Sequence, residues 1–218
     1  MSKADVAAAV LDQRVIAIVR TASAESAHEA ATALLGAGLR AVEVSLVTPG
    51  ALEVVRDLVG ATHAEAHIGV GTVLRAREVT AAARAGAEFI VSPSFDSEVL
   101  GATLALGLLS VPGVATPSEA VRAKLLGADF QKLFPASAWS PAVMSDVLAA
   151  LPDLGFIPTG GVSLDDAPSW IRAGAVAVGL GGALTRGARD DVPARVAGLL
   201  AKLRAAAPGR PAQGRQAD

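Results

Sequence analysis

Length, composition and charge together predict one cytoplasmic domain with an aliphatic core. The chain has 218 residues, of which 52% are apolar and only 3% aromatic, so Ala, Val, Leu and Ile must fill its core. The absence of Cys excludes disulfides, thiolate catalysis and Cys-ligated metals, and a net charge of −2 gives no basic surface for nucleic acid or an anionic membrane. No apolar stretch reaches the ~20 residues of a membrane helix, and the N-terminus has no signal-peptide pattern.

Short β-branched runs alternate with longer Ala-rich segments along the chain. The runs predict eight strands, at residues 15–19, 41–46, 67–73, 89–91, 108–111, 130–134, 156–157 and 175–179. They are almost continuously apolar, which is typical of a parallel sheet covered on both faces. The remaining segments predict eight helices, at residues 26–35, 51–58, 76–85, 97–106, 118–126, 141–150, 165–173 and 192–205.

This alternation predicts the α/β class and a single-domain (β/α)8 TIM barrel over residues 1–207, with a short extra helix in the first dozen residues. Pairs such as Gly86-Ala87 and Gly127-Ala128 support it, because Gly supplies the left-handed conformation that ends a helix. A doubly wound open sheet is the alternative, but no composition break marks the switch point that it needs. The Pro/Gly/Gln-rich residues 208–218 predict a disordered tail.

The active site of such a barrel lies at the carboxyl-terminal ends of the strands. The predicted strands carry a cation, a carboxylate, hydroxyls, an amine and two glycine pairs to that rim. The candidate site residues are Arg20, Glu43, Thr72, Pro93, Lys132, Phe134, Thr159, Gly160, Gly161, Gly181 and Gly182.

Lys132 is the most informative of them. The chain has four lysines, and Lys132 is the one that lies inside a predicted strand, in a segment that also contains Phe130, Leu133 and Phe134. An isolated ammonium is costly to bury, so such a group is usually neutral or paired, and a free amine is the nucleophile that forms a Schiff base. The pattern alone leaves three interpretations open: a nucleophile, a structural ion pair, or a side chain that faces outward.

Glu43 is a lone carboxylate in the middle of an apolar strand. One interpretation is a general acid or base whose pKa is raised by burial. The other is an internal ion pair with Lys132 or Arg20. The two are compatible, because an enzyme without substrate can hold the carboxylate against the amine.

The glycine pairs that end the last two strands predict a phosphate site. Without Cβ atoms, backbone N–H groups can approach an oxyanion, and the N-terminus of a following helix adds its dipole. Glycine pairs also mark ordinary tight turns. Arg20 can bind a substrate carboxylate through two hydrogen bonds, and Thr72 can add a third. The alternative for Arg20 is an ordinary surface arginine, and the alternative for Thr72 is an ordinary strand residue.

No metal or cofactor is expected. The histidines are His28, His63 and His67. The last two would coordinate a metal only if they faced each other, and His63 lies in a polar link while His67 opens a strand.

The motifs, taken together, resemble one family over nearly the whole chain. The matching segments are residues 15–20 (VIAIVR), 42–44 (VEV), 69–74 (GVGTVL), 89–93 (FIVSP), 111–117 (VPGVATP), 132–136 (KLFPA), 158–162 (PTGGV) and 178–184 (VGLGGAL). In order and spacing they resemble the class I 2-keto-3-deoxy-6-phosphogluconate (KDPG) aldolases. That family includes 4-hydroxy-2-oxoglutarate (KHG) and 2-keto-3-deoxy-6-phosphogalactonate (KDPGal) aldolase activities.

The resemblance implies a homotrimer of (β/α)8 barrels that cleaves KDPG to pyruvate and glyceraldehyde 3-phosphate without a cofactor. It implies Lys132 as the Schiff-base lysine and Glu43 as the proton shuttle. Thr72 and an arginine would hold the carboxylate, and the backbone of the glycine pairs would hold the phosphate. The alternatives are KHG or KDPGal cleavage, a phosphosugar isomerase or synthase, and a non-catalytic sugar-phosphate binder.

The chain departs from the family pattern at two positions. Some members carry an arginine four residues after the glutamate, where this chain has Val47; others have an arginine ending the first strand, as Arg20 does, so the carboxylate role falls to Arg20. The loop after the last strand often has Ser where this chain has Gly182. One hydrogen bond to phosphate is then missing.

Overall fold

A computed structural model describes residues 2–61 and 66–206 of the chain. The α-helices of the described residues are α1 (Lys3–Gln13), α2 (Ala24–Gly36), α3 (Ala51–Ala61), α4 (Ala76–Arg84), α5 (Ser97–Ala105), α6 (Pro117–Leu125), α7 (Pro141–Ala150), α8 (Ala167–Arg172), α9 (Gly182–Thr185) and α10 (Val192–Ala206). Their strands are β1 (Val15–Val19), β2 (Ala41–Ser45), β3 (His67–Gly71), β4 (Phe89–Val91), β5 (Leu109–Val111), β6 (Gly113–Val114), β7 (Gln131–Leu133), β8 (Phe156–Pro158) and β9 (Val178–Leu180). His63 and the predicted tail at residues 208–218 lie outside the described residues.

All strand pairs are parallel, and the strands follow one another in sequence order across two sheets. One sheet has the order β5-β4-β3-β2-β1-β9, so the first and last strands are neighbours, and the other has the order β6-β7-β8. The strand predicted at residues 108–111 is β5, and β6, which follows it after Pro112, was not predicted. A bridge between Thr159 and Gly179 joins the strand ends at β8 and β9. The pairing of the first strand with the last contradicts a doubly wound sheet, in which the strand order reverses at a switch point.

The α/β alternation and the extra helix α1 are confirmed, whereas several predicted bounds were wrong. β3 ends at Gly71 because Thr72 takes a left-handed φ of 62°, and β2 ends at Ser45, where the N–H of Thr48 closes a turn. The helix predicted at residues 165–173 shortens to α8, because Ser163 and Asp166 exchange side-chain to backbone hydrogen bonds in a turn before it. The strand predicted at 175–179 is β9, which starts three residues later.

α1 packs across the amino-terminal ends of the strands. Its Val6 and Val10 join one buried cluster with inward residues of the strands, Phe89 and Leu109 among them. Gln13 at its end donates to the carbonyl of Gly38 and accepts from an amide just before β2. The larger apolar cluster fills the layer between strands and helices. The amino-terminal end is therefore closed, and the carboxyl-terminal end is where a site can open.

None of the described helices has the length and hydropathy that crossing a membrane requires.

Candidate active site

A cavity of about 640 Å³ opens at the carboxyl-terminal ends of the strands. It is lined by residues of the strands and of the loops that follow them. The structure brings all the predicted site residues to this cavity: Arg20, Glu43, Thr72, Pro93, Lys132, Phe134, Thr159, Gly160, Gly161, Gly181 and Gly182. The placement that the barrel prediction required is therefore present, while the roles of these residues stay predictions.

Lys132 lies on β7 with its side chain in the cavity. It is only 6% exposed, and its Nζ lies 5.1 Å from the centroid of the Phe134 ring, within the range of a cation–π contact. The outward-facing interpretation is therefore wrong. Within the described ranges, no ion pair of 4.0 Å or less includes Lys132, so a structural ion pair is not what holds it. An amine in this position is available to a ligand.

Glu43 is 2% exposed and faces the same cavity from β2. Burial raises the pKa of Glu43 above its ordinary value, and the charges of Lys132 and Arg20 oppose that rise. Its carboxyl group lies against Gly71 of the neighbouring strand, where a Cβ atom would overlap it. No close ion pair of Glu43 is found in the described part of the chain, so the predicted internal pair with Lys132 or Arg20 is not formed.

Arg20 and Thr72 lie at the cavity's rim, after β1 and β3. Arg20 is exposed, yet it lines the cavity and its charge acts on Glu43, which distinguishes it from an ordinary surface arginine. Thr72 is not an ordinary strand residue, because its φ is 62°. A β-branched side chain in that conformation is strained by about 1–3 kcal/mol. Its Oγ1 lies 2.7 Å from the Oγ of buried Ser45, a hydrogen bond that holds the strained hydroxyl in place.

Two glycines in the loop after β8 are required by the backbone conformation of that loop. Gly160 and Gly161 have φ of 83° and 96°, which L side chains rarely adopt. A Cβ at Gly160 would also lie 2.9 Å from the Phe134 ring, and one at Gly161 would lie 2.8 Å from Ser137. The loop thus approaches its neighbours closely and exposes backbone to the cavity.

Thr159 and Pro93 each pack closely against a glycine of a neighbouring strand. Thr159 is buried, its Oγ1 donates to the carbonyl of Ile157, and a Cβ at Gly179 would overlap it. A Cβ at Gly113 would overlap the backbone of Pro93. Missing Cβ atoms therefore make room for two cavity walls.

The helices that follow the two glycine pairs are short, so the contribution of their dipoles to an anion site is small. α9, which begins at Gly182, has four residues, and α8 begins six residues after Gly161 and has six. Such short helices have small macrodipoles. An anion in this part of the cavity would instead meet backbone N–H groups and side chains.

Sequence reasoning missed several lining residues: Ile18, Ser45, Val47, Val162, Ser163, Gly179, Ala183 and Arg186. Ile18 and Ser45 had a usable signal, because each lies two residues from a predicted site residue and side chains two apart on a strand face the same side. Arg186 had none, since its place depends on the path of the loop after β9.

The described residues contain no group of three or more His, Asp or Glu side chains that would hold a metal ion. His28 lies on α2, and the Nδ1 of His67 lies 2.9 Å from Glu88 at the amino-terminal end of β3. The cavity itself offers an amine, a buried acid, an arginine and glycine loops. This set suits imine chemistry on a substrate that carries anionic groups.

Comparison with known proteins gives a consistent result. The family model described as KDPG and KHG aldolase matches residues 6–194. The chain is 38% identical over 172 residues to the 2-dehydro-3-deoxy-6-phosphogalactonate aldolase of Escherichia coli K12, covering 78% of this chain and 84% of that protein.

The solved structures with similar folds include two KDPG aldolases. One is the KDPG aldolase of Zymomonas mobilis ZM4 with 3-phosphoglycerate, with a TM-score of 0.82, 28% identity, and coverage of 95% of this chain and 100% of that one. The other is the KDPG aldolase of Legionella pneumophila with pyruvate captured as a covalent carbinolamine, with a TM-score of 0.75, 25% identity, and coverage of 92% and 98%. The chain belongs to the KDPG and KHG aldolase family of carbon–carbon lyases.

Proposed function

We propose that the protein is a class I aldolase that cleaves KDPG to pyruvate and glyceraldehyde 3-phosphate. The observation that carries the proposal is the Lys132 amine, buried in the cavity with no ion-pair partner among the described residues and with Glu43 on the neighbouring wall. The Zymomonas and Legionella enzymes, whose folds it shares, are both named KDPG aldolases, and the latter held pyruvate covalently.

Imine formation is the first half of the proposed reaction. The Lys132 amine attacks the C2 carbonyl of the substrate, and the carbonyl oxygen takes a proton to give a carbinolamine. Glu43, whose pKa burial raises, donates the proton with which that hydroxyl leaves as water. The product is a protonated imine between C2 and Nζ.

Cleavage uses this imine as an electron sink. The Glu43 carboxylate, acting through water, accepts the proton of the C4 hydroxyl; the C3–C4 bond breaks, and its electron pair forms an enamine. Glyceraldehyde 3-phosphate leaves with the new carbonyl at C4. The enamine takes a proton at C3, and water hydrolyses the imine to release pyruvate and free the amine. The covalent route divides one difficult cleavage into easier steps.

The remaining residues position the substrate. Arg20 and Thr72 would bind its C1 carboxylate at the rim, with Ser45 holding the Thr72 hydroxyl. Pro93, Phe134 and Thr159 would form the walls beside the carbon chain. The backbone of the two glycine loops would bind the C6 phosphate, through Gly160, Gly161, Gly181 and Gly182.

KDPGal is the second candidate substrate, and one observation favours it: the Escherichia coli relative with 38% identity is named as the aldolase for that sugar acid. KDPGal differs from KDPG in configuration at C4. KHG, which lacks a phosphate, is the third candidate, because the family name includes it.

We further infer that the two sheets are parts of one closed (β/α)8 barrel in a single domain. Backbone hydrogen bonds support closure at both boundaries between the sheets. The N–H of Val176, just before β9, donates to the carbonyl of Phe156 in β8 at 3.0 Å, and the N–H of Phe130, just before β7, donates to the carbonyl of Ser110 in β5 at 3.2 Å. The homotrimer implied by the resemblance and the cytoplasmic location both stay predictions.

Trapping with pyruvate tests the proposal. Incubation with pyruvate and cyanoborohydride should convert Lys132 to a carboxyethyl-lysine, which peptide mass spectrometry locates. Lys132→Ala should lose both the adduct and pyruvate release from KDPG in an assay coupled to lactate dehydrogenase. Lys124→Ala, which removes an exposed lysine of α6, is the matched control and should keep both.

The alternatives give other results. A phosphosugar isomerase or synthase, or a sugar-phosphate binder, would form no adduct and release no pyruvate. An adduct on another lysine, or full turnover by Lys132→Ala, would contradict the assignment. The ratio of kcat/KM for KDPG and KDPGal then decides between the two main substrates.

A further inference from the structure

The loop after β9 and the start of α10 carry three arginines with different neighbours. Arg189 is paired with the carboxylate of Glu29 on α2. Arg195 donates to the carbonyl of Leu184 at 2.7 Å, and its other terminal nitrogen lies 3.9 Å from Asp191. The guanidinium of Arg186, in contrast, forms no hydrogen bond or ion pair with another group in residues 2–61 and 66–206.

Arg186 is instead the arginine of this loop that lines the cavity. Its N–H donates to the carbonyl of Gly182 at 2.9 Å, which closes the single turn of α9. Its guanidinium folds back over Gly182: a Cβ there would lie 3.4 Å from one terminal nitrogen and 3.9 Å from Nε. The guanidinium therefore lies at the wall that the glycine loops form.

The loop that carries Arg186 is anchored on both sides. The Arg195 bond to Leu184 ties α9 to α10, and the pair between Arg189 and Glu29 ties the following residues to α2. Anchoring limits the entropy lost when the guanidinium binds a ligand. These two arginines have structural partners, which leaves Arg186 for a ligand.

The charge of the cavity indicates what that ligand is. Its described lining has three basic side chains, Arg20, Lys132 and Arg186, and one carboxylate, Glu43. Arg20 and Lys132 serve the carboxylate and the C2 carbonyl in the proposed reaction. The third basic group lies at the glycine loops, where a second anion of the substrate would lie.

We propose that Arg186 binds the terminal phosphate of the substrate and sets the preference for phosphorylated over unphosphorylated sugar acids. A guanidinium matches phosphate through two parallel charge-assisted hydrogen bonds. The inference rests on the proposed function, since it assigns one end of the same substrate. The Arg186 side chain would then bind the phosphate together with the backbone of the glycine loops.

Arg186→Gln tests the proposal, with KDPG and its unphosphorylated analogue 2-keto-3-deoxygluconate as substrates. The ratio of kcat/KM for the two should fall about 10- to 100-fold, the effect of losing a hydrogen bond to a charged group. The fall should appear mainly as a higher KM for KDPG, because the phosphate is remote from the bond that breaks. Arg186→Lys, which keeps the charge without the fork, should lie between wild type and Arg186→Gln.

Arg56→Gln is the matched control. Arg56 is exposed on α3 and does not line the cavity, so the same change of charge should leave both substrates unaffected. An unchanged ratio in Arg186→Gln, or an equal loss with both substrates, would overturn the role of Arg186.

Two further measurements separate this inference from the proposed function. Pyruvate carries no phosphate, so the adduct on Lys132 tests the aldolase chemistry alone. Calorimetric titration with glycerol 3-phosphate needs no turnover and should show binding at least tenfold weaker in Arg186→Gln than in wild type or Arg56→Gln. Equal binding would refute the phosphate site even in an active aldolase, and weaker binding would support it even if no adduct formed.

Discussion

The two ends of the strands differ in how their polar groups are satisfied. At the amino-terminal end, α1 covers an apolar cluster, and the ionisable groups around it form pairs: His67 with Glu88, and Asp129 with Lys3 and the hydroxyl of Ser110. The exception among the polar atoms at this end of the described residues is the buried Nε2 of Gln131, which has no hydrogen-bond partner. At the carboxyl-terminal end, Glu43 and Lys132 are buried with no ion pair in the described chain.

The difference separates stability from chemistry. A paired buried group lowers the energy of the folded state, whereas an unpaired buried acid or amine raises it and stays available to a substrate. The strained Thr72 belongs to the same end as the unpaired groups. We therefore expect changes at the carboxyl-terminal end to affect turnover first, and changes at the amino-terminal end to affect only the free energy of unfolding.

Among Glu43→Gln, Gly71→Ala and Glu88→Ala, the first substitution should have the largest effect on turnover. An amide cannot shuttle protons, so kcat for KDPG cleavage should fall by about 10²–10⁴-fold while the fold is kept. Steady-state kinetics and circular dichroism measure the two. Turnover within a few-fold of wild type would show that another group moves the protons.

The same variant should change how stability depends on pH. Because burial raises the pKa of Glu43 above its ordinary 4.5, the folded state binds this proton more tightly than the unfolded state does. The resulting stabilisation is present below pH 4.5 and is lost as the pH rises through the folded pKa. Denaturant unfolding from acid to neutral pH should therefore show Glu43→Gln gaining stability relative to wild type as the pH rises. A constant difference would contradict the burial argument.

Gly71→Ala should have the next largest effect, although it changes no polar group. A Cβ at Gly71 would overlap the Glu43 carboxyl group, so the acid must move, and a shift of about 1 Å in a catalytic group can cost on the order of 100-fold in rate. We expect kcat to fall by roughly that factor while Glu43 is still present.

The control for this change is Gly101→Ala on α5. Nothing lies within 4 Å of a Cβ at Gly101, and Ala is favoured over Gly inside a helix by about 0.5–1 kcal/mol. This variant should keep its activity and unfold at a slightly higher denaturant concentration. Equal activity in both glycine variants would show that the Glu43 position does not depend on Gly71.

Periodicity and motif order predicted the fold well because they are local or nearly local signals. The apolar runs predicted both ends of β1 and of β4 correctly. Gly86 and Gly127 have the left-handed φ values, 94° and 95°, that were predicted to end their helices. The bounds that failed depend on contacts remote in sequence or on a single dihedral. The end of β3 is set by Thr72, whose conformation is held by Ser45, 27 residues away.

The site was predictable where its residues lie on strands and unpredictable where they lie on loops. A strand fixes both where a residue lies and which face of the sheet its side chain points to. The predicted strands therefore brought Glu43 and Lys132 to one cavity. Arg186 follows a one-turn helix whose path depends on Arg195 and on the pair between Arg189 and Glu29. No periodicity encodes such a path.

Glu88→Ala should have the smallest effect of the three and should leave turnover unchanged. His67 is buried, and its Nδ1 lies 2.9 Å from the Glu88 carboxylate, so truncation leaves a buried ring nitrogen without this partner. The expected loss is about 1–3 kcal/mol in the free energy of unfolding, the usual cost of an unsatisfied buried polar group. Glu88→Gln keeps an acceptor at the same distance and should lose much less.

Urea unfolding measures the free energy of unfolding of these variants, and steady-state kinetics with KDPG measures kcat. A fall in kcat at temperatures where Glu88→Ala is fully folded would show that the two ends are coupled, because this pair lies at the closed end of β3, remote from the cavity.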